Sequence, residues 1–247
     1  MQDNVSLPKA ISDKTLAAIV EHFQMEEVLG ADGGPYMDLQ SHAPIHQGSV
    51  GAVRVFKGRG LAQLVTCSIV VPAIFLDSHM IYGFTAGDSL VPHFTLDSVK
   101  AGEHCAFHLD LTPKQDLGAN YDYLMQVYKP LTDSFNKAQE IEGLTPAQIT
   151  PLQRSIMSPW MLVHRASEAA YEQVFPIVDE YREYWQKLVD EGIDLPSDPA
   201  QVEARDLANR AMIFSPEIDK VWDQITPLIG AEAAAAQLAL LQGKVKV

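Results

Sequence analysis

Cysteine is scarce in this chain: Cys67 and Cys105 are the only two among 247 residues. Two cysteines make neither a disulfide framework nor a cysteine-based zinc site. Each lies in an apolar run, so both are expected to be buried, reduced packing residues. Cations are short as well, with 18 Lys and Arg against 32 Asp and Glu and a formal net charge of −14. That charge repels nucleic acid and anionic membranes, which removes both from the expected partners. There is no apolar run long enough for a transmembrane helix. Met1-Gln2-Asp3-Asn4 lacks the basic and apolar regions of a secretory signal, so a cytoplasmic location is expected. The phosphate-binding and nucleophile-elbow patterns G-x-x-x-x-G-K-[ST], G-x-G-x-x-G and G-x-S-x-G do not occur. Gly58-Arg59-Gly60 lacks a third glycine and a following helix. Nucleotide binding and acyl transfer therefore have no support in the sequence.

What is present is an apolar fraction of 47%, enough for a substantial core. Ser12 followed by Thr15 to Leu29 reads as an N-capped helix stopped at Gly30. The pattern then turns to short segments rich in β-branched and aromatic residues: 49–57, 61–71, 79–85, 93–99 and 104–111. Short connections at 57–60 and 100–103 imply antiparallel neighbours. From Asn120 to about Lys137 the pattern is helical. Trp160 to His164 reads as one more strand. Glu168 to Glu191 reads as a long helix with a kink or boundary at Pro176. Helical stretches at 199–214, 217–229 and 231–242 complete the chain. Helix, antiparallel sheet and covering helices predict an α/β three-layer α/β/α sandwich, with one domain over residues 1–247.

The segment from His104 to Leu111 alternates cleanly, Cys105, Phe107, Leu109 and Leu111 on one face and His104, Ala106, His108 and Asp110 on the other. His104 and His108 are about 13 Å apart on a strand, too far to share one ion, so no metal site is expected. Whether they face a pocket or water stays open. In the preceding segment His93, Thr95 and Asp97 share a face. A carboxylate inside a strand needs partners or a raised pKa. Asp97 reads either as a strand-end residue satisfied by backbone donors or as a poised acid or base.

Three segments together resemble the superfamily of ferredoxin-dependent bilin reductases and, within it, the red chlorophyll catabolite reductases. They are Pro92-His93-Phe94-Thr95-Leu96-Asp97; Asp110-Leu111-Thr112-Pro113-Lys114-Gln115-Asp116-Leu117 with Tyr121-Asp122-Tyr123-Leu124; and Ser155-Ile156-Met157-Ser158-Pro159-Trp160-Met161-Leu162-Val163. The resemblance runs from about Leu61 to about Ile229. It implies an α/β/α sandwich and an open-chain tetrapyrrole held between the sheet and the C-terminal helices. It also implies no metal or flavin, with electrons from ferredoxin and protons from acidic side chains. Asp97 matches the family's strand position for a catalytic Asp or Glu. Asp206 resembles a second acidic position more loosely, or is a solvated helix residue. The family's catalytic His has no counterpart; Thr66 or Cys67 falls near it. A chain this acidic disfavours docking of an acidic ferredoxin. The chain is also similar to bacterial γ-formaldehyde lyases of lignin-derived aromatics.

The leading expectation is therefore a cofactor-independent carbon–carbon lyase. It would release formaldehyde from the γ-hydroxymethyl group of a phenolic dimer, a phenylcoumaran or diarylpropane, by acid–base chemistry. Asp97 would be the acid or base and His93 its partner, titrating near neutrality. Arg54 would be a phenolate clamp, unless it is merely a solvated strand residue. Asp206, Arg210 and Tyr123 would close the pocket from the helical side, and His108 is placed with the substrate-binding residues. His42 and His46 flank a Pro-containing loop that is either a lid or plain surface. The alternative is a ferredoxin-dependent reductase of a linear tetrapyrrole, with Asp97 as proton donor. A non-catalytic binding protein on the same fold is the third reading. The expected partner is a small aromatic molecule, with ferredoxin only under the alternative; a homodimer stays open.

Overall fold

Segments of alternating and β-branched residues cannot seal both faces of a strand by themselves, so they pair and borrow cover from helices. In the computed structural model, which describes residues 5–245 and 247, this produces a mixed α/β sandwich. Its first part runs α1 (Leu7–His22), β1 (Glu26–Val28), β2 (Met37–Gln40), β3 (Ser49–Lys57), β4 (Gln63–Val71), β5 (Leu76–Phe84), β6 (His93–Ala101) and β7 (His104–Thr112). Next come α2 (Tyr121–Tyr123), α3 (Thr132–Gln139), β8 (Leu144–Pro146), α4 (Pro151–Ile156) and β9 (Leu162–Ala166). The chain finishes with α5 (Glu168–Glu172), α6 (Phe175–Glu191), α7 (Pro199–Ile213), α8 (Trp222–Ile229) and α9 (Ala231–Leu241). Among the described residues nine strands form one sheet in the order β1-β3-β4-β5-β6-β7-β9-β8, with β2 also on β3, and every pairing is antiparallel.

The five central strands lie where the sequence places them, give or take three residues. The first helix does not. It starts at Leu7, capped by Ser6, whose hydroxyl accepts from the Lys9 N–H at 3.2 Å, with Pro8 in the first turn. The chain turns at Gln24, φ 49°, and residues 26–28 pair with β3 instead of extending the helix. The stretch from Asn120 is a short helix, a π-helical turn over 124–128 and a 3₁₀ turn at Lys129–Leu131 before α3. Pro130 removes a backbone donor there. Pro176 marks a boundary, sitting in the first turn of α6. The expected helix over 217–229 begins only at Trp222, and the residues before it form an irregular link.

One face of the sheet carries Ile81, Phe94, Leu96, Phe107, Leu109 and Leu111 against α1 and α6, with Cys105 buried among them. The other carries Val53, Val65, Cys67, Ile69, Tyr82 and Phe84 against α8, α9 and Phe214. Trp185 of α6 packs on the first face, and its indole N–H donates to the Pro92 carbonyl at 2.9 Å. That close approach needs Gly83: a Cβ there would stand 2.6 Å from the Trp185 ring. No helix among the described residues is long and apolar enough to cross a membrane.

Replacing Gly83 by Ala forces the indole off the sheet. Gly83→Ala is expected to cost about 1–3 kcal/mol, the usual penalty for overpacking. Thermal unfolding measures it, and an unchanged Tm would contradict this reading of the α6 contact.

Candidate active site

In the β6–β7 pair, Asp97 lies opposite His108, Thr95 opposite Asp110 and His93 opposite Thr112. Directly opposed side chains project from the same face, so the polar positions of both strands make one patch. Asp97 also lies opposite Met80 of β5, which places the patch on the face covered by the C-terminal helices. Over β3 to β5 that face is covered by α8 and α9. Over β6 and β7 the cover is α4 and the link from Ile213 to Val221, and a cleft remains. Its inner lobe holds about 200 Å³ and is bordered by Tyr82, Thr95, Asp97, His108, Met157 and Asp219. An apolar lobe of about 460 Å³ continues between β4, β5 and α8, bordered by Ile69, Leu76, Ile225 and Leu228. The lobes meet at Met80, Asp97 and Val221.

Two polar atoms aimed into this cleft are buried with no hydrogen-bond partner: Asp97 Oδ1 and His108 Nε2. Burial, then the nearby Asp219 carboxylate, pushes the Asp97 carboxyl up to about 7, against a backbone hydrogen bond from Ser98. Burial drives His108 down to about 4. At neutral pH the imidazole is uncharged and the carboxyl is divided between its two forms. Burial also raises Asp219, which accepts from the Val221 N–H at 3.1 Å. Asp110, likewise raised to about 7 by burial, is satisfied: it accepts from the Ser158 hydroxyl at 2.5 Å and the Ser158 N–H at 3.1 Å. That contact ties the 155–163 segment to β7. An acid that holds its proton near neutrality, beside a neutral imidazole in an apolar cleft, can deliver and recover a proton.

A second buried cluster lies at the other end of β6. His93 Nε2 donates to Asp206 Oδ1 at 2.7 Å, and Lys114 Nζ stands 2.8 Å from the same oxygen. The Thr85 backbone N–H donates to His93 Nδ1 at 3.1 Å, which fixes the proton on Nε2. Burial lowers His93 to about 4, helped by the Lys114 charge and opposed by Asp206. Burial alone would raise Asp206, but the bonds from His93 and Lys114 prevail and hold it at about 2. Arg210, one turn along α7, donates to the Leu241 carbonyl at 2.9 and 2.6 Å and lies 3.8 Å over the Phe84 ring. These groups fasten α7 and the end of α9 to the sheet.

The residues singled out from the sequence therefore separate. Asp97 and His108 border the cleft. His93 does not partner Asp97; it is four residues along the strand, about 13 Å away, and its partner is Asp206. Its lowered pKa also removes the expected titration near neutrality. Asp206 is buried and paired, neither solvated nor in the cleft. Arg54 alternates to the opposite face, where its guanidinium binds Glu27 at 2.8 and 2.6 Å. Tyr123 belongs to the core beneath α6, its hydroxyl donating to the Leu90 carbonyl at 2.9 Å. Arg210 is consumed by α9. Cys67 is packed opposite Met80 with its thiol pushed up to about 12 by burial, while His104 is exposed at the β6–β7 turn. The 41–48 loop borders the apolar lobe through Ala43 and Ile45, not through His42 or His46. The acid facing Asp97 from the C-terminal half is Asp219, hidden because its link reads as helix in sequence. Among the described residues no three His, Cys, Asp or Glu gather as a metal-ligand set.

The raised carboxyl has a sign that can be checked. The unfolded Asp97 loses its proton near pH 4 while the folded one keeps it to about 7, so its burial costs stability increasingly as pH rises through that window. Asp97→Asn imitates the protonated form. It is expected to match the parent at pH 4 and to exceed it by on the order of 4 kcal/mol above pH 7. Urea unfolding at both pH values tests this, and an equal or lower stability of the variant at pH 8 would sink it. No family model and no curated protein matches this chain. Among solved structures, it is similar to a phytochromobilin synthase from tomato in complex with biliverdin. The TM-score is 0.75 and the identity 18%, covering 96% of this chain and 83% of that one. The likeness spans nearly the whole chain and shows a shared fold.

Proposed function

We propose that this chain is an oxidoreductase that reduces an open-chain tetrapyrrole, with Asp97 as proton donor and a ferredoxin-type carrier as the electron source. The observation that carries the reading is the half-buried Asp97, with its Oδ1 buried and unpartnered, opposite His108 at the junction of both lobes of the cleft. Its support is the fold shared with a synthase solved with biliverdin. The three segments that resemble the bilin reductases also supply Asp97, the Asp110–Ser158 tie and Met157 to this one region. The apolar lobe, at about 460 Å³, falls in the range of small-molecule sites, and the inner lobe of about 200 Å³ adjoins it.

Reduction of one conjugated double bond consumes two electrons and two protons. Electrons entering the extended π system singly make its carbon and nitrogen atoms basic. Asp97 hands over one proton and regains it from solvent between turnovers, which its position near neutrality allows. Asp219, raised by burial on the facing link, is placed to give the other. The uncharged His108 accepts or donates a hydrogen bond without adding charge.

A cofactor-independent lyase is a second reading, favoured by one observation. The net charge of −14 opposes docking of an acidic electron carrier. Ionised Asp97 would then take the γ-hydroxyl proton, the C–C bond would break, and formaldehyde would leave. The electron pair would expel the ring ether oxygen, which a neighbouring acid protonates. Anaerobic incubation with biliverdin and reduced ferredoxin, followed by visible spectroscopy, separates the two. The expected result is a ferredoxin-dependent spectral change that Asp97→Asn slows about a hundredfold or more. Formaldehyde released from a γ-hydroxymethyl phenylcoumaran with no reductant, and biliverdin unchanged, would replace the reductase with the lyase.

A further inference from the structure

Both lobes of the cleft present acids and apolar groups. Asp97 and Asp219 face the inner lobe with the uncharged His108, Thr95 and Tyr82. The outer lobe is apolar apart from Asp97 at the junction and Ser78 and Gln224 at its walls. Among the described residues no lysine or arginine borders either lobe. Three cations on the surrounding elements are already engaged, while Arg154 of α4 is exposed and outside the lining. Arg210 is bound to α9 carbonyls, Lys114 to Asp206, and Lys220 to the Pro216 carbonyl at 3.0 Å. The mouth continues the apolar lining, with Ile45 and Ile74 half exposed and Phe75 held outward in the left-handed region at φ 55°.

We infer that the cleft selects a substrate that carries no carboxylate on the part it encloses: a flat, uncharged, largely apolar molecule with one hydrogen-bonding group that reaches Asp97 and His108. The inference rests on the cleft being the substrate site of the reading above, and narrows the substrate class. An anionic group drawn inside would lose its hydration without meeting a cation, and would meet two carboxyl groups instead. An amide, lactam or phenol meets an acceptor in Asp97 Oδ1 and a ring nitrogen in His108, the two atoms left unpartnered. The apolar lobe accepts the remaining hydrocarbon surface. Discrimination here comes from a repulsive element as much as from an attractive one.

Equilibrium binding to the whole chain at pH 8, by calorimetry and absorbance, tests this with two matched pairs. The first is 4,4′-dihydroxystilbene against the stilbene bearing a carboxylate in place of one hydroxyl. The second is biliverdin dimethyl ester against biliverdin. In each pair the uncharged member is expected to bind at least tenfold tighter, and Asp219→Asn is expected to narrow the gap. A carboxylate that binds as tightly as its neutral partner overturns the inference, as does a neutral stilbene that fails to bind. If the stilbenes obey and neither tetrapyrrole binds, the substrate class stands and the tetrapyrrole reading falls. If both tetrapyrroles bind equally and are reduced, the inference falls and the reductase stands.

Discussion

The rest of the structure turns on the cost of burying a carboxyl oxygen without a partner. Most buried polar groups are hydrogen-bonded because leaving one unpaired costs the whole of its desolvation. Asp97 sits inside a strand, with one oxygen unpaired and another carboxyl facing it. The protein meets that cost by keeping the proton, so the group's chemistry follows directly from its placement. A strand residue cannot turn away without shifting every neighbour's face, and the antiparallel register therefore locks Asp97 beside His108.

The two buried polar clusters on this face of the sheet contrast. At the end of β6, His93, Asp206 and Lys114 satisfy one another and join α7 to the sheet. Arg210 extends the same anchorage to α9. With α7 held there, the link that leaves it carries Phe214 onto Tyr82 and Phe84 and brings Asp219 and Val221 over the cleft. The satisfied cluster thus positions the roof, and the unsatisfied pair beneath it is where the structure leaves hydrogen-bonding capacity for a ligand. The inner side of the cleft is fixed in the same way, by Asp110 holding Ser158 and, through it, the strand entry at Leu162.

Much of the sheet was readable from pattern, because a period of two records directly which residues share a face. Thr95, Asp97 and His108 could be placed on polar faces by that rule, as could Phe94 and Phe107 on apolar ones. Strand order was not readable, so nothing said that His108 lies across from Asp97 or that Arg54 points to the other layer. His93 shares the Asp97 face, but distance along a strand separates them, and a long-range partner on α7 claims it. Helix ends failed for local reasons. Ser6 and Pro8 outcompeted Ser12 as a start, and Glu26 to Val28 pair with β3 rather than prolong the helix. Asp219 was invisible because the irregular link before α8 has the composition of a helix and owes its shape to tertiary packing.

The central claim is that Asp97 holds its proton up to about pH 7 inside the cleft. Carbon-13 NMR titration of the aspartate carboxyls, with the Asp97 signal assigned by its loss in Asp97→Asn, measures this directly. The account predicts a midpoint near 7, well above an ordinary aspartate at about 4. A midpoint at the ordinary value would mean that the carboxyl is solvated or paired, and Asp97 would no longer stand as the proton donor.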